Sequence, residues 1–203
     1  MPIELEGDGA GPGTPIVKKQ ALGEYFIGAM CAEPQRRQVH KPDGEPVFKK
    51  DGKPRYEIVV TCVTMPGTTA TAGIGDESGV PEPGDVVRLI FRGGGFAQWI
   101  DALDQQKKAI GHKQRFHGRA GDIIEQTVEY GQAWSADGTK IGGELRTQAE
   151  CDAVPRTQSL GYYGPLTMRS ATAAEAEWDA KACELFRNAD RPMVSAVDEE
   201  PPF

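Results

Sequence analysis

Tyr56-Glu57-Ile58-Val59-Val60-Thr61-Cys62-Val63-Thr64 decides the fold class. The run is dominated by β-branched residues, and no glycine or proline interrupts it, so it reads as a strand with a buried face. Upstream, Tyr25-Phe26-Ile27-Gly28-Ala29-Met30-Cys31 is apolar and follows a helix-breaking glycine, Gly23, as a buried first strand would. Between the two lie the turn signals Asp43-Gly44 and Asp51-Gly52, which predict a hairpin with an extended basic tip. Downstream, residues 66–84 are rich in Gly, Thr and Pro and read as a second long loop. Residues 85–92, with Val86, Val87, Leu89, Ile90 and Phe91, give a third strand.

After Gly93-Gly94-Gly95 the period changes. Phe96, Trp99, Ile100, Leu103 and Ile110 recur at helical spacing, so residues 96–110 should form an amphipathic helix stopped by Gly111. Residues 123–130 give a fourth strand. Past Trp134, the Asp137-Gly138 turn leads into a weaker fifth strand over 140–149. The expected fold is mainly β, with the order strand, strand, strand, helix, strand, strand. That is the order of a five-stranded oligonucleotide-binding (OB) barrel with a helix between its third and fourth strands. Residues 152–168 read as loop, and no internal repeat is apparent. Thr172 followed by Glu175 opens a second helix to about residue 189, whose face of Trp178, Ala182, Leu185, Phe186 and Ala189 must be buried. It is buried either on its own barrel or against a second subunit, as a homo-oligomer. The organisation expected is a flexible lead-in over 1–15, an OB domain over 16–168, a C-terminal helix within 169–190, and an acidic tail over 191–203.

Charge is segregated along the chain. The net charge is −7, yet residues 36–55 hold seven Lys or Arg against three acids, and residues 107–119 hold five and no acid. Such a chain can meet phosphates with one face while its acidic ends stay in solution. Aromatics are interleaved with the cations, as single-strand binding requires of a basic groove with surfaces on which unpaired bases stack. On the first hairpin and the second and third strands the candidates are Arg36, Arg37, Phe48, Lys49, Lys50, Lys53, Arg55, Tyr56 and Arg92. Lys113, Arg115, Phe116 and Arg119 follow the helix. An aromatic on a strand is more often core than platform, which is the competing reading of Tyr56.

The chain ends in Asp198-Glu199-Glu200-Pro201-Pro202-Phe203. The proline pair excludes helix and central strand, and the terminal ring and carboxylate are presented for capture by an apolar pocket with a basic rim. This ending resembles the acidic tip of bacterial and phage single-stranded DNA-binding proteins. Pro202 and Phe203 match that tip, Asp198, Glu199 and Glu200 match its acidic run, and Pro201 departs from the aliphatic residue more often found there. The resemblance implies a protein of phage or plasmid type that binds single-stranded DNA without strong sequence preference. It would recruit replication, recombination or repair proteins through residues 198–203.

Nothing in the sequence suggests catalysis. The four cysteines, Cys31, Cys62, Cys151 and Cys183, have no metal-ligand spacing, the Gly93-Gly94-Gly95 run lacks the following Gly-Lys-Ser/Thr of a phosphate loop, and no nucleophile-base pattern appears. The expectation is a protein that is not an enzyme, with no cofactor and no metal. No apolar stretch approaches the ~20 residues of a membrane span, and the N-terminus lacks a secretion signal, so a cytoplasmic protein of a bacterial or phage-infected cell is expected, with no membrane partner. Two rival readings stay open: a β-barrel adaptor that binds proteins, and an enzyme of nucleotide metabolism.

Overall fold

The computed structural model describes residues 13–41, 43–49, 51–75, 77–112, 118–136 and 138–178. The fold is mainly β. In chain order the elements are β1 (Ile16–Lys18), β2 (Tyr25–Met30), β3 (Gln35–Gln38), β4 (Tyr56–Thr64), β5 (Thr71–Ile74), β6 (Glu77–Gly79), β7 (Val86–Phe91) and α1 (Gly94–Ala109). There follow β8 (Ile123–Thr127), β9 (Tyr130–Trp134), β10 (Lys140–Leu145), α2 (Gln148–Asp152), β11 (Ser159–Tyr163) and β12 (Leu166–Arg169). The main sheet runs β12-β8-β2-β4-β7-β1-β5-β6, with β3 paired to β4, and a smaller sheet runs β10-β9-β11.

Strand β4 organises the core. It pairs antiparallel with β7 from Ile58 opposite Phe91 to Val63 opposite Val86, so strand alternation sends Ile58, Val60 and Cys62 to the same face as Phe91, Leu89 and Val87. That face meets Phe26, Met30, Ile124, Leu166 and Met168 from the neighbouring strands, and α1 lays Trp99, Ala102 and Leu103 across it. The Trp99 ring stacks on Phe91 with centroids 5.2 Å apart. Gly28 is favoured where β2 pairs with β4: a Cβ there would lie 2.8 Å from the Phe26 ring and 3.0 Å from the Val63 carbonyl oxygen. Of the apolar helix residues read from the sequence, Ile100 and Ile110 stay exposed, and the helix face is completed by Ala102 and Gln106 instead.

The opposite face of β2, β4 and β8 is covered as well. Ala29, Met65 and Ile123 are buried there under Ile27, Ala171 and Trp178. Residues 173–178 are helical, and Thr172 and Glu175 make the reciprocal capping pair the sequence offers: the Thr172 N–H donates to Glu175 at 2.8 Å and the Glu175 N–H donates to the Thr172 hydroxyl at 3.3 Å. Arg169 anchors this turn to the sheet, donating to Glu125 at 2.6 Å and to Glu175 at 2.7 Å. The continuation of that helix and the tail lie outside the described residues.

Several expectations are corrected. The sheet does not close into a barrel among the described residues, and it has more than five strands. Residues 140–145 do form a strand, β10, but it pairs with β9 in the smaller sheet; on the side of β8 away from β2 the neighbour is β12, within a stretch expected to be loop. The cause is local composition. Strand β11 contains Gly161, and Gly164-Pro165 separates it from β12, so two short strands carry the composition of a turn. Gly164 itself must be glycine because a Cβ would fall 1.8 Å from the Thr127 carbonyl oxygen, where the chain crosses the β8 to β9 connection. Likewise residues 66–84 hold the β5 to β6 hairpin rather than loop alone. No helix among the described residues is long and apolar enough to cross a membrane.

Candidate nucleic-acid interface

The connection between β3 and β4 is built from two turns of the same design. Lys41 N–H donates to the Glu45 carbonyl at 2.8 Å and Gly44 N–H to Lys41 at 2.9 Å; eight residues later, Lys49 N–H donates to Lys53 at 2.8 Å and Gly52 N–H to Lys49 at 3.0 Å. The aspartates act alike, Asp43 accepting from Glu45 N–H at 3.0 Å and Asp51 from Lys53 N–H at 3.2 Å. Gly44 and Gly52 take φ of 85° and 77°. Each is therefore a three-residue hairpin loop ending in a left-handed glycine, the bulged turn that an Asp-Gly pair also serves. The hairpins are tied at their base by a ring of backbone bonds: Val39 N–H to Arg55, Arg55 N–H to Val47, and Val47 N–H to Val39, at 2.8, 2.9 and 2.8 Å. Instead of one long basic tip, the segment folds into two compact knobs.

The second knob borders a cleft of about 470 Å³ lined by Arg36, Phe48, Lys49, Arg55, Tyr56, Gly93 and Phe96. Three cations and three aromatics meet there, with no carboxylate among the described lining residues. Register explains how. On β3, Arg36 stands opposite Ile58, and Gln38 opposite Tyr56, so Arg36 is diagonal to Tyr56 on the same face of the sheet. Its guanidinium lies 4.0 Å from the Tyr56 ring centroid, a cation-π contact that holds both planes at the cleft mouth. Phe48 is 54% exposed, which leaves most of its ring to a ligand. Gly93, at φ 53°, begins the turn into α1, and a Cβ there would approach Arg55 Nη2 to 4.0 Å. The glycines thus serve the strand-to-helix turn, and Gly93 borders a guanidinium.

Arg37 and Arg92 are placed differently from the expectation. Arg37 is opposite Glu57, and Phe91 opposite Ile58 brings Arg92 next to the same carboxylate, on the face away from Tyr56. Glu57 is buried and accepts from Arg37 Nε at 2.5 Å and from Arg92 Nε. Burial opposes its ionisation, but the Arg92 and Arg37 hydrogen bonds outweigh that and hold its carboxyl below the usual range. These two arginines clamp three strands together rather than line the cleft. Lys53, with its side chain 77% exposed, lies 3.3 Å from Asp51 and outside the cleft lining. Arg119 belongs to the turn entering β8, where its N–H donates to the buried Asp122 at 2.9 Å, and it does not line the cleft either. Lys50, Lys113, Arg115, Phe116 and the tip residues Asp198, Glu199, Glu200, Pro201, Pro202 and Phe203 lie outside the described residues.

Phe96 and Gly93 are the lining residues that sequence reasoning missed, because Phe96 fits the helical stripe of α1 and Gly93 the turn before it. A second signal was present in plain sight: Val39-His40-Lys41-Pro42-Asp43-Gly44-Glu45-Pro46 and Val47-Phe48-Lys49-Lys50-Asp51-Gly52-Lys53-Pro54 are two copies of one octapeptide pattern, Val-x-Lys-x-Asp-Gly-x-Pro. The expectation of no internal repeat is therefore corrected. No group of three or more His, Cys, Asp or Glu placed to hold a metal occurs among the described residues. No protein-family model matches the chain, nor does any curated protein or solved structure.

Proposed function

We propose that the chain binds single-stranded DNA, without strong sequence preference, through the cleft between the β3 to β4 connection and the start of α1. The observation that carries this reading is the cleft lining itself: Arg36, Lys49 and Arg55 around Phe48, Tyr56 and Phe96. Cations placed among one exposed and two half-buried aromatic rings suit a chain that alternates phosphates with stacking bases, and every base has a face to stack. A duplex hides those faces, so single strands are preferred. In this reading β2, β4, β7, α1, β8 and β12 are the strands and helix of an OB-type barrel left open, with β12 replacing the strand expected at 140–149. The protein acts in replication, recombination or repair inside a bacterial or phage-infected cell, and its acidic tip recruits enzymes of those processes; the resemblance of residues 198–203 supports this part. It is not an enzyme and needs no cofactor.

The test is a titration of labelled oligo(dT) and of a duplex of equal length at two salt concentrations. Single strands should bind more tightly, with log K falling by about 0.7 per phosphate contact for each log unit of salt. Equal affinity for both would remove the single-strand preference, and a salt-independent interaction, or none, would favour the adaptor.

A further inference from the structure

The tandem octapeptides are alike in backbone and unlike in charge. Both copies close with the same three hydrogen bonds and the same glycine conformation, and each carries an isolated bridge at matching positions, His40 with Pro46 and Phe48 with Pro54. What differs is the surface they offer. The first copy has Lys41 against Asp43 and Glu45, a net of −1; the second has Lys49, Lys50 and Lys53 against Asp51, a net of +2. In the first, Lys41 is held by Glu45 across the turn at 2.6 Å. In the second, the position across from Lys49 is Lys53, so the hairpin supplies no carboxylate at that place. His40, whose Nδ1 lies 3.0 Å from the Gln38 carbonyl oxygen, is matched by Phe48, an exposed ring. Phe48 and Lys49 line the cleft; none of the described residues of 39–46 does.

We propose that residues 39–54 are a duplicated hairpin whose copies have divided the work. The second copy is a polyanion-recognising finger, and the first is a brace that holds it through the ring of bonds at Val39, Val47 and Arg55. This rests on the single-strand reading of the cleft and assigns its grip to two of the three positions where the copies differ, Phe48 against His40 and Lys53 against Glu45. The physical basis is that the brace carries a net negative charge and holds Lys41 on Glu45, whereas the finger stays net positive even with Lys53 3.3 Å from Asp51, sets Lys49 opposite a lysine rather than a carboxylate, and adds a stacking face. Lys53, outside the cleft, then meets the phosphate chain as it leaves.

Because each copy accommodates its own residues on the same backbone, exchanging them should leave the fold intact. Full-length Phe48→His/Lys53→Glu should lose about tenfold or more of its oligo(dT) affinity at low salt while melting as wild type does. His40→Phe/Glu45→Lys should bind as well as wild type or better. If the first double variant is poorly folded, Lys53→Glu alone, at an exposed position, should still weaken binding and flatten the salt dependence. Arg36→Ala/Arg55→Ala separates this proposal from the reading beneath it. Should that variant lose binding while Phe48→His/Lys53→Glu keeps it, the cleft stands and the division between hairpins falls. An equal loss from changing either copy also overturns the division. No binding by wild type at low salt overturns the single-strand reading and the finger with it.

Discussion

Arg36 and Tyr56 hold each other: the guanidinium carbon sits 4.0 Å from the ring centroid, across adjacent strands and diagonal in register. A contact of this kind fixes a planar cation and a planar ring at one place before any ligand arrives, so a base that stacks there has fewer side-chain rotors to order. Tyr56→Ala should cost ~1–3 kcal/mol of oligo(dT) binding, the range of one stacking contact. Arg36→Ala should do the same and also lower the salt slope by about 0.7 if it meets a phosphate. Fluorescence titrations at two salt concentrations measure both. Unchanged affinity in both variants would move the binding surface away from this cleft.

Glu57 gives the opposite signature. Its carboxylate is buried beneath Arg37 and Arg92, whose own side chains stay about half exposed. Glu57→Gln leaves two guanidiniums side by side with no counter-charge, and it should lower stability by ~1–3 kcal/mol in chemical denaturation. DNA affinity of the folded protein should not fall, since the pair lies on the face away from Tyr56. A stable variant, or a binding defect without a stability defect, would mean that Glu57 and its arginines belong to the ligand site after all.

Acid should loosen the helical turn that opens at Thr172. The Arg169 guanidinium, followed by the Thr172 N–H, holds Glu175 down to about 2. A carboxyl whose folded value lies below its unfolded value of about 4.3 contributes stability that is complete above that pH and is lost as pH falls toward the folded value. Melting temperature should therefore drop as pH is lowered from about 5 to about 2. Arg169→Ala, which removes the partner of both Glu125 and Glu175, should melt lower than wild type at pH 7, with the gap narrowing in acid. A constant gap across that range would assign the effect of Arg169 to packing alone.

The fold was legible where one strand carries its own pattern and illegible where a strand depends on its neighbours. Strand β4 spans nine residues of β-branched chain, and α1 shows its stripe through Trp99 and Leu103. Strands β11 and β12 are five and four residues long, and their extended state is set by pairing with β9 and β8. Composition at Gly161 and Gly164-Pro165 argues for turns, and tertiary pairing overrides it. The site divides in the same way. Phe48, Lys49, Arg55 and Tyr56 were visible as aromatics among cations, because neighbours in sequence stay neighbours on a hairpin. That Arg36 joins them while Arg37 turns to Glu57 follows only from the register of β3 on β4, where a shift of one residue changes the face. Phe96 reaches the cleft from a different element, so no local pattern marks it.

The tip yields the last prediction, and it stands on chemistry read from the sequence. Deleting Phe203 removes the aromatic ring, so a partner pocket that buries it, as the proposed docking role requires, loses an apolar burial worth ~1.5–3 kcal/mol. Recovery of replication or repair proteins from a bacterial or phage-infected extract should fall by about tenfold or more. DNA affinity should hold. Removing Asp198 through Phe203 altogether should hold or raise it, because Asp198, Glu199 and Glu200 can only compete with phosphate for Arg36, Lys49 and Arg55. The two halves are read separately, by pull-down and by oligonucleotide titration. Equal partner recovery with and without the tip would remove its docking role, and a clear loss of DNA affinity on truncation would make the tail part of the binding surface rather than its competitor.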